Sequence, residues 1–362
     1  MHLGNVFCAL LSWLSAKSQG GEWVLRIEDL DPQRSREEYA LQLMDDLQWL
    51  GLPWDGEPVW QSQRGHIYEE YLLRLTEMGI TYPCHCTRAD IMATQAPHET
   101  DGRVVYKGTC RPRVIDAIDA INSINSIDAI GAIDSIGSID STIRTVPATT
   151  RLIVPDCTIP FTDGHYGRHD INLAEHCGDY IVRRKDGAWA YQLAVVVDDA
   201  LMGITEIVRG RDLLLSSPQQ IHLRELLFGE RKTENGTDAG SENRSKIYFD
   251  YAEQQGGKDR EAGLKRKNNS LTAHHSPLTV NFFHHPLLCN AEGQRLCKRD
   301  KSMDLGYLRD KGTTAREIIG LLAHLAGLTD TPAPITPTEL LPLFSWDKVP
   351  TEDIMLDKQI ML

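Results

Sequence analysis

The sequence predicts an α/β protein, and three observations carry that expectation. Residues 1 to 83 read as helix, strand, helix, helix. Cys157 to Phe228 alternates strand-like and helix-like segments, the βαβ rhythm of a parallel sheet. With 41% hydrophobic and 25% charged residues, the composition is that of a soluble globular chain rather than a disordered one. Its 362 residues suffice for two domains around one sizeable core or two smaller ones.

Taken in order, Val6 to Lys17 has helical apolar spacing. Val6 to Leu14 imitates a leader core, but only His2 stands in front of it as a cationic segment, so a helix is expected. No apolar run approaches the roughly 20 residues that span a bilayer. No membrane partner is therefore expected, and the chain is placed in the cytoplasm. Glu22 to Ile27 reads as a buried strand bounded by Gly20 and Gly21. Ser35 to Leu50 reads as an amphipathic helix, with Ser35 as N-cap and Glu38 completing a capping box. Gly65 to Met78 is a further helix, closed by Gly79. Leu193 to Val197 fits a buried strand or a helix start, and Glu206 to Val208 a short strand before Arg209. Pro286 to Cys289 reads as a strand, Asn290 to Gly293 as a turn, and Thr314 to Ala326 as a helix before a short Pro-rich end.

Two stretches stand apart. From 115 to 141 isoleucine recurs every third residue, a period that fits neither the 3.6 of a helix nor the 2 of a strand. One tract this short makes a poor solenoid, so it reads as a low-complexity insertion in a surface loop. A polar segment of about 230 to 277 reads as a second insertion.

The formal charge of -13 argues against nucleic-acid binding through net attraction, though a local basic face remains compatible with it. The eight cysteines form no small-domain disulfide framework, which favours a reducing compartment. Cys84-His85-Cys86 and Tyr106-x-x-x-Cys110 bracket a short loop. Three thiolates need a fourth ligand for tetrahedral zinc, and Tyr106, His85 or His98 could supply it. Spacing alone leaves zinc and free thiols evenly matched. Cys8, Cys157, Cys177 and Cys289 read as ordinary buried thiols.

His2-Leu3-Gly4-Asn5 opens the first helix, where a glycine permits close approach of a nucleotide and free N–H groups suit phosphate. Far along the chain, Arg295-Leu296-Cys297-Lys298-Arg299 is a basic loop able to close over a triphosphate, with Lys298 as a point charge. Together these are the paired elements of class I aminoacyl-tRNA synthetases. The resemblance sharpens with Leu25-Arg26-Ile27-Glu28-Asp29-Leu30-Asp31, which resembles the LRIEDxD segment of glutamyl-tRNA synthetases. Tyr191 to Asp199, Met202 to Gly210, Gly178-Asp179-Tyr180 and Arg183 to Gly187 follow the same family in the same order.

That resemblance implies a class I synthetase-type, Rossmann-like nucleotide-binding domain with a zinc-bearing insertion and a short helical C-terminal region. Its halves would be residues 1–83 and 151–304, the insertion 84–150, and the helical region 305–362 without an anticodon-binding domain. It implies that His2 and Lys298 act on the phosphates, and that His2, Gly4, Asn5 and Lys298 bind ATP with Mg²⁺. Glu28 would bind the amino group of L-glutamate, and Tyr191 and Arg209 would hold the substrate. Arginine suits that place because its fork pairs a carboxylate bidentately. Without the family, Glu28 reads as a partner of Arg26 and Arg209 as a surface ion pair.

The short glutamyl-Q tRNA(Asp) synthetases are similar in the C-x-C and Y-x-x-x-C pattern, which makes Cys84, Cys86, Tyr106 and Cys110 the implied ligands of a structural Zn²⁺. They imply transfer of glutamate to the queuosine of tRNA(Asp) by a monomer. Two departures are visible. The family's R-F-A-P-S-x-x-G strand, whose Arg and Ser contact the amino acid, would precede Met1-His2, so those contacts are expected to be missing. In the basic loop the family's K-L-S-K stands as Arg295 to Lys298, with Arg for the first lysine and Cys for the serine. Two other readings follow: a truncated glutamyl-tRNA synthetase charging tRNA(Glu), or a non-catalytic relic binding zinc and tRNA.

Overall fold

The computed structural model describes residues 1–31, 35–93, 105–112, 147–229, 280–296 and 303–356. The isoleucine repeat, the polar segment of about 230 to 277, His98 and Lys298 lie outside them. The first helix, α1 (Leu3–Ser18), buries Val6, Phe7, Leu10, Leu11 and Leu14 completely, which is the helical spacing read from the sequence. Next come β1 (Arg26–Ile27), α2 (Glu37–Trp49) and β2 (Val59–Trp60), with β1 and β2 paired in parallel.

Two local expectations need correction here. The strand read over 22–27 narrows to its last two residues, because Trp23 exchanges its backbone bonds with Asp55 instead of a ladder. Ser35 is not the cap of α2. Its N–H is held by the Asp31 carbonyl at 2.8 Å, and Arg36 occupies the N-cap without a side-chain bond to the helix backbone. After α3 (Gly65–Glu77) the chain turns at Gly79, whose φ of 71° few other residues adopt.

Then follow β3 (Thr81–Cys84), α4 (Arg88–Ala93), β4 (Thr149–Leu152), β5 (Thr158–Asp163), β6 (Gly167–Asn172), α5 (Leu173–His176) and β7 (Tyr180–Arg183). The expected parallel rhythm holds only in part. β5 and β6 form an antiparallel hairpin, since the short link through Gly164, His165 and Tyr166 cannot make the crossover that parallel strands need. Asp163 caps that turn by accepting the N–H groups of His165 (3.0 Å) and Tyr166 (2.8 Å). β7 leaves for a separate antiparallel sheet of order β3-β4-β7.

Beyond it lie α6 (Tyr191–Leu201), β8 (Glu206–Gly210), α7 (Ser216–Phe228), β9 (Asn281–His285) and β10 (Leu288–Cys289). β8 and β9 are parallel, and the sheet runs β6-β5-β9-β8. Leu193 to Val197 proves helical. Every residue from Leu193 to Ala200 is buried, so no polar face advertised the helix in the sequence.

The last described elements are α8 (Leu305–Asp310), α9 (Ala315–Leu325), α10 (Pro337–Leu340) and β11 (Ile354–Met355). Thr314 caps α9 in a full capping box with Glu317. The end of the chain is not simply helical, because β11 adds in parallel to β10. Asp353 clamps it by accepting Arg211 at 2.5 and 2.6 Å and the Leu287 N–H at 2.9 Å. Trp346 stacks on Phe283 and donates to Ser15 at 3.1 Å. One core joins α1 to Leu288, Ile318, Ile319, Leu322 and Leu356, and a second joins α3, β7 and α6. Among the described residues no helix is long and apolar enough to cross a membrane.

Asp198 ties the second core together. Fully buried on α6, it accepts from Gln61 (2.9 Å), Arg64 (2.6 Å) and Tyr68 (2.7 Å) around α3. Asp198→Ala would leave the half-buried Arg64 guanidinium and the buried Gln61 and Tyr68 dipoles without their shared acceptor. It is expected to cost about 3–5 kcal/mol of stability, read by urea unfolding. A loss under about 1 kcal/mol would mean that apolar packing alone holds α3 to α6.

Candidate active site and thiol cluster

The carboxyl ends of parallel strands are where α/β sheets take ligands, and β8 and β9 end together at Gly210 and His285. α1 lies across them. Cys8 meets the Val208 carbonyl at 3.7 Å, Ser15 meets Glu206, and Phe7 sits edge-on to His285. The N-terminus of α1 thereby points toward the ligand end of the sheet. His2 is its N-cap, with its N–H donating to Asn5 Oδ1 at 3.3 Å. Gly4 has a direct reason to be glycine: a Cβ there would lie 3.0 Å from the His2 ring.

Arg295 pairs with Asp212, so the arginine standing for the first loop lysine is committed to a carboxylate. The described chain stops at Leu296, buried against the first core, and resumes at Met303. Asp304 then forms a β-bridge with His2.

Arg209, on β8, is 7% exposed. Its Nε donates to His284 Nε2 (3.1 Å), and its two terminal nitrogens donate to Gln220 Oε1 (2.7 Å) and Ser217 Oγ (2.8 Å). Among the described residues no carboxylate pairs with it directly. Burial lowers its pKa, while Tyr191, Asp199 and Asp163 work the other way. Tyr191, the first residue of α6, stays 39% exposed and lies near enough to Arg209 to hold its pKa up.

Glu28 meets Arg26 at 3.3 Å, and Arg26 meets Asp199 at 2.6 Å. The Glu28 side chain is 42% accessible to water. Even so, the protein around it raises its pKa by desolvation, against the Arg26 charge and with help from Asp199 and Asp198. Glu28, Tyr191 and Arg209 share one electrostatic neighbourhood, in which Tyr191 feels both the others. The arrangement offers a buried cation, a phenol and an accessible carboxylate within electrostatic range of one another, a set able to meet a ligand that carries both signs of charge.

The thiol cluster sits at the end of β3. Cys84, Cys86 and Cys110 place their sulfurs within 4.8 Å of one another. The Tyr106 hydroxyl accepts the Cys110 N–H at 2.7 Å and lies 3.4 Å from Cys84 Sγ and 3.7 Å from Cys86 Sγ. Burial opposes the Cys110 thiolate, but the His85 backbone, Tyr106 and the two other thiols together bring its pKa down to about 7. Three convergent thiols with a phenol oxygen among them make a soft, tetrahedral-capable donor set, which fits Zn²⁺. His85 is exposed on the strand end.

The family model for the catalytic domain of the class I tRNA synthetases (E and Q) matches residues 1–235. The chain belongs to that family. It is 36% identical to a glutamyl-Q tRNA(Asp) synthetase of Symbiobacterium thermophilum, across 98% of this chain and 92% of the relative. It is 33% identical to one of Nitratidesulfovibrio vulgaris, across 100% and 93%. Among solved structures, a glutamate tRNA ligase from Elizabethkingia meningosepticum aligns with a TM-score of 0.65 at 22% identity. That alignment covers all of this chain and 65% of the ligase, so the chain spans about two thirds of that enzyme's length. It establishes the α/β synthetase fold.

Within this synthetase fold, the sequence-derived residues fall into three groups. Glu28, Tyr191 and Arg209 come together. His2, Gly4 and Asn5 form the first turn of α1, as expected, and Cys84, Cys86, Tyr106 and Cys110 converge. The plain reading of Arg209 as a surface ion pair is wrong, because it is buried and unpaired with any described carboxylate. The plain reading of Glu28 as an Arg26 partner describes a contact that does exist. Sequence reasoning missed Asp163, Ser217, Gln220 and His284, the shell around Arg209. The adjacent histidines at 284 and 285 on an otherwise apolar strand were the one local signal.

Proposed function

We propose that the protein activates L-glutamate with ATP and transfers it to the queuosine base of tRNA(Asp). The observation that carries this reading is the buried Arg209 guanidinium, held by three neutral side chains beside Tyr191 and Glu28. A buried cation with no carboxylate directly on its fork leaves that place open to a ligand carboxylate. Glu28 takes the substrate's amino group, and Tyr191 and Arg209 hold a carboxylate. The other carboxylate attacks the α-phosphorus of ATP, and the P–O bond to pyrophosphate breaks. His2, Gly4 and Asn5 receive the nucleotide at the start of α1. Lys298 stabilises charge growing on the leaving pyrophosphate, and Mg²⁺ arrives with ATP to neutralise the phosphates. A hydroxyl of the modified nucleoside then displaces AMP from the activated glutamate. Both curated relatives named above carry the glutamyl-Q name and run nearly the full length of this chain, which supports queuosine over the 3′ end of tRNA(Glu).

The test is direct. Incubation with ATP, labelled glutamate and queuosine-containing tRNA(Asp) should yield glutamylated queuosine on nuclease digestion. Label on the 3′-terminal adenosine of tRNA(Glu) would establish the ordinary synthetase activity instead. Absence of glutamate-dependent ATP–pyrophosphate exchange would establish the relic reading.

Cys84, Cys86, Cys110 and Tyr106 would hold Zn²⁺ in a structural role, bracing the insertion of residues 84–150 that would approach the acceptor. Metal analysis should find about one zinc per chain. Tyr106→Phe should weaken the metal and Cys110→Ser lose most of it, since a phenolate is the poorer ligand. Exchange should survive Tyr106→Phe better than transfer to tRNA does. If exchange fails first, the site supports the nucleotide domain directly. The protein would work as a monomer, and eight cysteines without a disulfide framework fit a reducing cytoplasm.

A further inference from the structure

The shell around Arg209 contains a pair of buried groups that no substrate needs to touch. His284 and Asp163 are both fully buried, with Nδ1 and Oδ2 2.6 Å apart. Asp163 also accepts three backbone N–H groups: those of His165, Tyr166 and His284 itself. Four donors converge on one carboxylate, which is why it stays charged despite its burial.

The other face of the imidazole decides its state. Arg209 Nε has a hydrogen and nothing to accept with, so His284 Nε2 must accept the bond at 3.1 Å. The ring proton therefore resides on Nδ1 and is donated to Asp163. His284 is neutral, as a protonated ring would aim an N–H at the arginine's own N–H.

We infer that Asp163 and His284 form a positioning relay that fixes the Arg209 guanidinium and compensates its charge through a neutral ring, leaving its terminal nitrogens to the substrate. A carboxylate bound directly to Arg209 would satisfy the buried cation, but it would occupy the fork that the glutamate carboxylate must use. Interposing an imidazole keeps the compensating negative charge one ring away. Gln220 and Ser217 take one N–H from each terminal nitrogen, and each nitrogen carries a second. Phe283 reinforces the placement from outside. A Cβ on Gly164 would fall 2.0 Å from its ring, so the Asp163 turn and the strand bearing His284 are packed backbone against side chain. The role of the relay rests on the reading of Arg209 as a carboxylate binder.

Two near-isosteric variants separate positioning from mere structural support. His284→Gln places an amide oxygen where Nε2 stood, keeping an acceptor for Arg209 and losing the donor to Asp163. His284→Asn does the reverse. The relay predicts that His284→Asn raises the KM for glutamate in ATP–pyrophosphate exchange about ten- to hundred-fold, the worth of one hydrogen bond to a charged group. KM for ATP should stay within about twofold, and His284→Gln, which keeps the acceptor for Arg209 but breaks the link to Asp163, should lie between His284→Asn and the parent. A structural role alone predicts the opposite order, with His284→Asn the better behaved. Equal glutamate KM for both variants and the parent, or parallel rises in both KM values, would overturn the inference. Nitrogen NMR of imidazole-labelled protein reads the relay without activity. It should find His284 protonated on Nδ1 alone, with a protected Arg209 Nε–H that is lost in His284→Asn and kept in His284→Gln. A doubly protonated or Nε2-protonated ring would refute the relay even if the protein had no glutamate-dependent exchange, which is the separate failure of the proposed function.

Discussion

Arg209→Leu is expected to lower kcat/KM for glutamate in ATP–pyrophosphate exchange by about 10²–10³-fold, most of it as a higher KM. Removing one partner of a buried, hydrogen-bonded charge pair costs about 2–5 kcal/mol, and each 1.4 kcal/mol is a factor of ten. Stability should change far less. The residue's direct partners, His284, Gln220 and Ser217, are all neutral, and Asp163 keeps its imidazole and backbone donors, so no bare carboxylate is left behind. The signature is therefore a large kinetic loss with a nearly unchanged thermal midpoint. A variant with parental KM for glutamate would remove Arg209 from the substrate site, and one that unfolds would make it a structural cation. Arg209→Lys should recover little, because an ammonium cannot reproduce three divergent N–H bonds and still face a ligand.

Lys298→Ala is expected to slow glutamate activation by about 10²–10³-fold, the scale of one lost transition-state donor. ATP binding in the ground state should fall much less, because the charge it answers grows only as pyrophosphate departs. The comparison is between kcat for exchange and the dissociation constant for ATP. Equal losses would make the lysine a binding group only. Lys298 lies outside the described residues, but its flanks do not. Leu296 is anchored in the core, and Asp304 bridges His2.

What the sequence disclosed divides along physical lines. The extents of α1, α3 and α9 were legible within a few residues, because each pairs a buried stripe with a clear stop or cap, such as Gly79 or the Thr314–Glu317 box. Leu193 to Val197 stayed ambiguous since total burial erases the period that separates helix from strand. The β5-β6 hairpin was hidden behind an α/β rhythm that only a count of the linking residues would have broken. The candidate residues Glu28, Tyr191 and Arg209 were legible through long motifs. The environment of Arg209 was not, because its partners come from positions 163, 217, 220 and 284 and no local spacing relates them. The strand at the far end, β11, was unreadable for a similar reason: two residues of ladder carry no pattern, and their partner lies some 65 positions upstream.

The joint core of α1 with residues 288–356 has a consequence for how the protein is made. A ribosome delivers α1 long before the residues that cover it. At about 5–20 residues per second, Leu10, Leu11 and Leu14 wait on the order of 15–60 s before Ile318, Ile319, Leu322 and Leu356 emerge to bury them. The second core, built from residues 68 to 228, can close well before that. The nascent chain therefore passes through a stage with a finished middle and a bare, greasy leading helix, the kind of surface that chaperones hold. The helix that waits is also the one that carries His2, Gly4 and Asn5, so the end of the sheet proposed to take the nucleotide is completed only once residues 288–356 have been made.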